Sequence, residues 1–365
     1  MEVAFADLGR AVAAQRDEIE RAMGTVVDSG RFVLGEQVAS FESEFASFSG
    51  AADAIGVASG TDAIEVALRG LGIGRGDEVV TQANTCVPTV AAIVRTGATP
   101  VLCDVEPDTA LLDPRSLEGS LSARTRAIVP VHLYGQICEM QPIRKLAESV
   151  GAVIVEDCAQ AVGAKLRGRH AGTIGNAGAF SFYPTKNLGG LGDGGAVIAD
   201  DPKLSERVRM LRVYGAGAVG HPLAGVNSRL DELQAAILRL RLERLADGNL
   251  RRLEIADHYT STLADTGARP LTRLADRQHV FHLFVVRVRD RDRYREALAE
   301  RGIGTLVHFP FAVHQLSAYS ELAAGPVSLA FSEQLCGQIV SLPLYPELSD
   351  AEVEYVASTA ATLAS

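Results

Sequence analysis

The stretch Phe180-Ser181-Phe182-Tyr183-Pro184-Thr185-Lys186-Asn187-Leu188-Gly189 places one lysine, Lys186, among apolar and small residues. Burial lowers the pKa of a lysine, and its neutral amine can then act as a nucleophile and form a Schiff base. A lysine in a surface loop is the alternative interpretation. The run Gly189-Gly190-Leu191-Gly192-Asp193-Gly194-Gly195 that follows favours the first, because so many glycines indicate close backbone approach or positive φ angles.

Short apolar runs on both sides of this stretch alternate with amphipathic helical segments. They predict seven strands, near residues 54–57, 78–81, 99–103, 127–131, 152–156, 179–182 and 195–198. Strands that are buried on both faces and separated by helices indicate a largely parallel sheet in an α/β fold.

The flanking segments predict helices at the N-terminus and a change of character after Asp201. Two helices are expected between residues 11 and 49, and a third from 203 to 212. A long helix is expected to open at Ser228, with Asp231 in a capping-box arrangement. Residues 279–289 alternate like a strand, and 350–363 read as a closing helix. We therefore expect a large α/β domain at 1–245 and a smaller α+β domain at 246–365.

The composition is that of an ordinary globular protein and narrows the function classes. The chain has 365 residues, with 35 Lys and Arg against 45 Asp and Glu, and a formal charge of −10, which argues against general nucleic-acid binding. No apolar run approaches the roughly 18 residues of a membrane span, and no secretory signal is expected. The 5 cysteines include no Cys-x-x-Cys pair, so neither a disulfide framework nor a metal site is indicated, and a cytoplasmic location is expected.

Two further segments carry polar groups where predicted strands end. In Ser59-Gly60-Thr61-Asp62, small residues at a helix start expose N–H groups that suit a phosphate, although an ordinary N-cap is the alternative. The strand at 152–156 leads into Glu156 and Asp157, at the sheet edge where open α/β folds bind ligands. Because successive strand residues point to opposite faces, only one of these carboxylates can serve a given pocket. A metal site or a simple strand end is the alternative.

These segments fit pyridoxal phosphate when they are taken together. Its aldehyde needs an amine, its pyridine nitrogen needs an anionic partner, and its phosphate needs hydrogen-bond donors. Asn227, just before the long helix, is placed to reach a second anion, or is simply a helix-entry asparagine. A dinucleotide site is excluded, because no G-x-G-x-x-G follows the first strand with an acid about 20 residues further on.

With these segments, the chain resembles the aspartate-aminotransferase-like (fold type I) enzymes, specifically the DegT/DnrJ/EryC1/StrS sugar aminotransferases. The resemblance runs over nearly the whole chain and is carried by four motifs: Glu156-Asp157-Cys158-Ala159-Gln160, the 181–189 stretch, Gly192-Asp193-Gly194-Gly195, and the segment 226–236. It implies a mainly parallel seven-stranded sheet between helices, with a smaller C-terminal α+β domain.

The resemblance also implies roles for individual residues. Lys186 would carry the cofactor and then move the proton between two carbons, and Asp157 would pair with the pyridinium nitrogen. The other residues that it places on the cofactor are Gly60, Thr61 and Ser181 at the phosphate, Gln160 near the phenolic oxygen, Cys86 against the ring, and Asn227 at the phosphate of the neighbouring subunit. The active site would therefore belong to a homodimer.

The implied reaction moves an amino group from L-glutamate to a keto-sugar nucleotide. The segment Val131-His132-Leu133-Tyr134-Gly135-Gln136 and the loop after Lys186 favour C3 of a dTDP-3-keto-6-deoxyhexose, with C4 or a 3-keto UDP-sugar as alternatives. The chain departs from the family pattern at Cys86, where relatives usually carry an aromatic residue. It also departs at Val162, where many 3-aminating relatives carry histidine.

Two histidines match a segment that reaches the sugar nucleotide in relatives, namely His308 and His314, and His314 is the favoured one. His132, His279 and His282 are expected to be structural. A sugar 3-dehydratase, which replaces the lysine by histidine, is disfavoured by Lys186. A regulator that binds pyridoxal phosphate without turnover is the alternative from a different class.

Overall fold

A seven-stranded sheet forms the centre of the protein, which a computed structural model describes over residues 1–364. Two smaller sheets accompany it. The strands of all three sheets are β1 (Asp53–Val57), β2 (Glu78–Gln82), β3 (Thr99–Cys103), β4 (Thr125–Val129), β5 (Val153–Asp157), β6 (Lys165–Leu166), β7 (Arg169–His170), β8 (Ala177–Ser181), β9 (Gly195–Ala199), β10 (Arg269–Pro270), β11 (Arg277–Gln278), β12 (Phe284–Arg287) and β13 (Ile339–Leu342).

Helices cover the sheet and build the C-terminal part of the chain. They are α1 (Leu8–Ala13), α2 (Arg16–Ser29), α3 (Glu36–Ser49), α4 (Gly60–Gly70), α5 (Val87–Arg95), α6 (Pro114–Ser120), α7 (Met140–Val150), α8 (Pro202–Leu211), α9 (Glu232–Glu243), α10 (Leu245–Leu263), α11 (Arg291–Glu300), α12 (Ala330–Gln338) and α13 (Asp350–Leu363). Short 3₁₀ segments lie at Leu133–Gly135, Val313–Gln315 and Ser317–Ala324. Within residues 1–364, no helix combines the length and apolar character that crossing a membrane requires.

The central sheet has the strand order β1-β9-β8-β5-β4-β2-β3 and is mainly parallel, as predicted. Every pair from β8 to β3 is parallel, whereas β9 runs antiparallel to both of its neighbours, β1 and β8. Each of the seven predicted strands lies within two residues of an observed one. Apolar side chains on the two faces of the sheet form separate buried clusters with the flanking helices.

The chain after α9 forms a second, smaller sheet with the order β10-β12-β13. Its apolar face packs against α10, α11 and α13 in a buried cluster of its own. Val3 belongs to this cluster and pairs with Ile303, so the N-terminal segment is attached to the C-terminal part of the chain. The strand predicted at 279–289 is confirmed only over Phe284–Arg287.

The prediction that the long helix opens at Ser228 was wrong. The helix begins at Glu232, and a second helix follows it from Leu245. The Ser228 hydroxyl is instead used at long range, since it accepts from the amide of Ala58 at 3.0 Å and donates to Asp62 at 2.8 Å. A hydroxyl that is committed to these partners cannot cap a helix.

The topology brings the carboxyl ends of several distant strands together. Strands β1, β2, β5 and β8 all run in the same direction, so the segments that follow them meet at one edge of the sheet. These segments contain the polar residues that the sequence singled out, and open α/β sheets bind ligands at this edge.

Candidate active site

Lys186 lies in the turn after β8 and lines a cavity of about 770 Å³. The cavity also receives side chains from the N-terminal segment, from α9 and α10, and from the loops that carry His282 and His308. Burial lowers the pKa of Lys186, and the neighbouring Cys86 and Asp157 partly oppose that shift. The neutral amine is therefore populated more than in an exposed lysine, as a Schiff-base nucleophile requires.

Asp157 ends β5 and is only 4% exposed. Its Oδ1 accepts from the amide of Ala159 at 3.1 Å, and its Oδ2 accepts from the hydroxyl of Thr89 at 2.8 Å. Burial raises the pKa of Asp157, although the two hydrogen bonds and the charge of Lys186 oppose the rise. Within residues 1–364 no ion pair neutralises this carboxylate, so the site favours a cationic group beside it.

Glu156 faces the other side of the sheet from Asp157, as the alternation of strand residues predicts. Its carboxylate accepts from the backbone amides of Gly172 (2.9 Å), Ile174 (2.7 Å) and Gly175 (2.6 Å), and it bonds to Nε2 of His132 at 2.8 Å. Burial alone would raise the pKa of Glu156, but these hydrogen bonds bring it below the ordinary value.

His132 completes that hydrogen-bond network from the segment after β4. Its Nδ1 accepts from the amide of Cys138 at 3.2 Å, so the ring carries its proton on Nε2 and donates it to Glu156. His132, Glu156 and Cys158 lie close enough together to suit a metal ion, but the ring nitrogens and the carboxylate are already used by hydrogen bonds. The role of this cluster is to fix the backbone at the sheet edge.

A narrow cradle forms where α4 begins beside the end of β8. Ser59 caps the helix by accepting from the amide of Asp62 at 3.1 Å, and Gly60 is the first helical residue. A Cβ at Gly60 would lie 2.6 Å from Cβ of Ser181, so only glycine lets these two segments approach so closely. The free N–H groups of a helix start, next to the Ser181 hydroxyl, suit a phosphate.

Gln160 and Cys86 occupy positions near this edge. The Gln160 side chain is buried, and its Oε1 accepts from the amide of Tyr134 at 2.7 Å, which leaves its amide N–H groups available as donors. Cys86 is the residue before α5, and burial raises the pKa of its thiol. The electrostatic interaction of Cys86 with both Lys186 and Asp157 places it at the same site.

The remaining predicted residues lie at different distances from the cavity. His308 lines it and bonds through Nδ1 to the hydroxyl of Ser341 at 2.8 Å, and burial beside Lys186 lowers the pKa of His308 to about 4. His314 does not line the cavity and pairs instead with Glu333 at 2.9 Å. Asn227 is exposed and does not line it either.

Two residues that the sequence did not assign to the site lie within it. Thr89, in the first turn of α5, donates to the carboxylate of Asp157. His282 lines the cavity beside Lys186 and bonds to Oδ1 of Asn187 at 3.2 Å. Thr85 and Thr89 are four residues apart, although α5 begins only at Val87, and this spacing is the only sequence signal that indicates a shared polar contact.

The sheet edge therefore combines a buried amine, an unneutralised buried carboxylate and a phosphate cradle. The model of the DegT/DnrJ/EryC1/StrS aminotransferase family matches residues 13–360. The chain belongs to this family. The match covers nearly the full length of the chain.

Similar proteins agree with the family assignment. The chain is 47% identical over 348 residues to the dTDP-3-amino-3,4,6-trideoxy-alpha-D-glucose transaminase of Streptomyces venezuelae, covering 95% of this chain and 92% of that protein. The crystal structure of S. venezuelae DesV in complex with a ketimine intermediate superposes with a TM-score of 0.96 at 46% identity, covering 100% and 98% of the two chains. The structure of NtdA from Bacillus subtilis with bound cofactor PMP gives a TM-score of 0.92 at 30% identity, covering 99% and 85%.

The enzyme is a pyridoxal-phosphate-dependent aminotransferase of fold type I. Its own residues fit the cofactor. Over residues 1–364, the amine of Lys186 forms no hydrogen bond and the carboxylate of Asp157 forms no ion pair, and burial acts against the charged form of each. The cradle at Gly60 is too narrow for any side chain.

Replacing Glu156 by glutamine tests whether the hydrogen bonds of this carboxylate stabilise the edge of the sheet. The side-chain NH₂ of the new glutamine would face N–H groups that now donate to the Glu156 carboxylate. We therefore expect Glu156→Gln to lower the free energy of unfolding by about 2–4 kcal/mol at neutral pH. Denaturant unfolding of the cofactor-free protein measures this loss.

The pH dependence of that loss has a defined sign. The pKa of Glu156 is lowered in the folded state, so its contribution is present above the unfolded pKa of about 4.3 and is lost as pH falls through the folded value. The difference between wild type and variant should shrink in acid. Glu20→Gln, at an exposed ion pair with Arg16, is the control and should change stability by less than about 0.5 kcal/mol. Equal effects of the two substitutions would contradict the assignment.

Proposed function

We propose that the enzyme transfers an amino group from L-glutamate to C3 of a dTDP-3-keto-6-deoxyhexose. The observation that carries the proposal is Lys186, a nucleophilic amine that opens on a cavity at the same sheet edge as Asp157. The dTDP-3-amino-sugar transaminase of S. venezuelae, with 47% identity over nearly the full length, supports the substrate class. C4 of the same sugar and a 3-keto UDP-sugar are the alternatives.

In this proposal the residues of the site divide the work. Bound pyridoxal phosphate supplies an electron sink for the carbon that exchanges its proton. Lys186 would hold the cofactor covalently and then take and return a proton at its Nζ, a role that the lowered pKa of this amine favours. Asp157 keeps a proton on the pyridine nitrogen by offering a buried carboxylate.

The remaining predicted ligands surround those two groups. The helix start at Gly60 and Thr61, together with Ser181, donates to the phosphate, and Gln160 donates to the phenolic oxygen. Cys86 contacts the ring. His308, in the wall of the cavity, binds the sugar nucleotide, whereas a similar role for His314 would require contact beyond its Glu333 partner.

The site is completed by a second copy of the chain in a homodimer. Asn227 is exposed and lies outside the cavity of its own subunit, which is consistent with its reaching the phosphate in the partner. Large apolar side chains beside both positions are exposed, Tyr214 near Asn227 and Tyr183 near Lys186. We also propose a domain division near residue 245, where α9 ends and α10 begins.

Covalent attachment at Lys186 is the first prediction. Incubation with pyridoxal phosphate should give the visible absorbance of the bound cofactor, and borohydride should fix the label on the peptide that contains Lys186. Lys186→Ala should reduce turnover by at least about 10³-fold. Lys165→Ala, in the short strand β6, is the control and should keep full labelling. A protein that stays colourless with added cofactor would refute the proposal.

The substrate is tested with a panel of dTDP- and UDP-ketosugars that carry the keto group at C3 or C4. The enzyme and L-glutamate should aminate the dTDP-3-keto sugar with the highest kcat/KM, and NMR should locate the new C–N bond at C3. A bond at C4, or a preference for UDP, would replace the proposed substrate by one of its alternatives. Binding of the cofactor without turnover of any member would favour the regulator.

Shared sites predict complementation between two variants that have each lost a different site residue, measured at a cofactor concentration at which neither variant is active alone. Asn227→Ala should weaken cofactor retention, and Lys186→Ala should abolish turnover. If each site uses Lys186 of one subunit and Asn227 of the other, an equal mixture refolded together should regain about one quarter of wild-type activity, because half of the dimers have one intact site. Unmixed variants are the controls. No regain, with mixed dimers demonstrated by mass spectrometry, would contradict a shared site.

A further inference from the structure

A chain of two hydroxyls leads through the protein interior to Asp157. Oγ1 of Thr85 lies 2.8 Å from Oγ1 of Thr89, which in turn lies 2.8 Å from Oδ2 of Asp157. Thr85, Thr89 and Asp157 are 2%, 1% and 4% exposed, so water does not compete for these bonds. Thr89 lies in the first turn of α5, Thr85 lies two residues before that helix, and the carboxylate comes from the end of β5.

The direction of both protons follows from the chemistry of the groups. An ionised carboxylate can only accept, so Thr89 donates its single hydroxyl proton to Asp157. Thr89 then has only lone pairs to offer Thr85, and Thr85 must donate to Thr89. Each hydroxyl therefore polarises the next toward the carboxylate, and such chains strengthen one another in a low-dielectric interior.

This chain supplies one of only two hydrogen bonds to the Asp157 carboxylate within residues 1–364, the other being the amide of Ala159. Each oxygen of Asp157 thus has one donor and keeps a lone pair for a ligand. Burial favours the protonated acid, and the Thr89 hydroxyl is among the groups that oppose this. Loss of the Thr89 hydroxyl would free the Asp157 side chain to rotate, and it would make the ionised form of Asp157 less favourable relative to the protonated acid.

We propose that Thr89, supported by Thr85, is a positioning residue that holds Asp157 as an oriented carboxylate for the pyridinium nitrogen. The proposal rests on the proposed role of Asp157 in binding the cofactor. Thr89 acts through Asp157 and needs no contact with the cofactor or the substrate. The hydroxyl, rather than the shape of the side chain, is the functional group.

Two replacements at position 89 separate these features. Thr89→Val keeps the shape and removes the hydroxyl, and Thr89→Ser keeps the hydroxyl. In Thr89→Val the carboxylate holds a proton more readily, so less positive charge stays on the ring nitrogen and the Schiff-base nitrogen becomes more basic. We expect the pH midpoint of the visible absorbance of the holoenzyme to rise by about 0.5 or more, and cofactor release to accelerate about tenfold. Thr89→Ser should restore both values to near wild type.

Thr81→Val is the matched control. The Thr81 hydroxyl is fully buried and donates to the carbonyl of Val129 at 2.8 Å, at a position that does not touch Asp157. It should leave the spectral midpoint and the release rate unchanged, whatever it does to stability. Thr85→Val should shift both measurements in the same direction as Thr89→Val, but less.

A second measurement keeps the test independent of cofactor binding. The titration of the Asp157 carboxyl carbon in the cofactor-free protein, followed by ¹³C NMR and assigned with Asp157→Asn, should move to higher pH in Thr89→Val and not in Thr81→Val. The inference is overturned if Thr89→Val matches wild type in this titration, or if Thr89→Ser behaves like Thr89→Val. If wild type binds no pyridoxal phosphate while the titration still moves, the proposed function fails and the orienting role of Thr89 stands.

Discussion

The architecture of the site depends on one buried carboxylate, that of Asp157, which forms no ion pair within residues 1–364. Burial of an ionised group is costly unless hydrogen bonds or an opposite charge compensate for it. Over residues 1–364, the carboxylate has two hydrogen bonds, from the amide of Ala159 and the hydroxyl of Thr89, and the charges of Lys186 and His132 add to them without outweighing burial. Because this compensation is partial, the carboxylate attracts a ligand that brings a positive charge. The amine of Lys186 interacts electrostatically with this carboxylate, and the narrow cradle at Gly60 lies at the same edge of the sheet.

The strand that ends at Asp157 also carries the residue whose hydrogen bonds hold this edge of the sheet. Glu156, the preceding residue, faces the opposite side and accepts from three backbone amides and from His132. The Glu156 carboxylate takes part in four hydrogen bonds, whereas within residues 1–364 the Asp157 carboxylate accepts only two and can accept more from a ligand. The two consecutive carboxylates thus differ in what they bind: Glu156 holds the neighbouring backbone, and Asp157 keeps acceptor sites for a ligand. This is a consequence of strand alternation alone.

Sequence reasoning was accurate where the physical signal is local. Apolar runs of strand length placed all seven strands of the central sheet, and the apolar setting of Lys186 predicted its burial and its lowered pKa. It failed where a side chain is used at long range. Ser228 looks like a helix cap, but its hydroxyl is committed to Asp62, 166 residues earlier in the chain. Thr89 lies 68 residues from Asp157, and no periodicity reports that contact. The role of His314 stays a prediction, since its ring is paired with Glu333.

The two reactive groups of the site have pKa values that burial moves in opposite directions, and this links cofactor affinity to the fold. The carboxyl of Asp157 is driven toward its neutral acid and the amine of Lys186 toward its neutral base. In the proposed site, Asp157 would hold the pyridinium nitrogen and Lys186 would hold the aldehyde carbon, so that each group would gain a partner that offsets the cost of its burial. If Cys86 lies against the ring as proposed, it would offer less stacking contact than an aromatic side chain. The proposal therefore implies that retention of the cofactor would depend more on the charge of Asp157 and on the phosphate donors than on contact with the face of the ring.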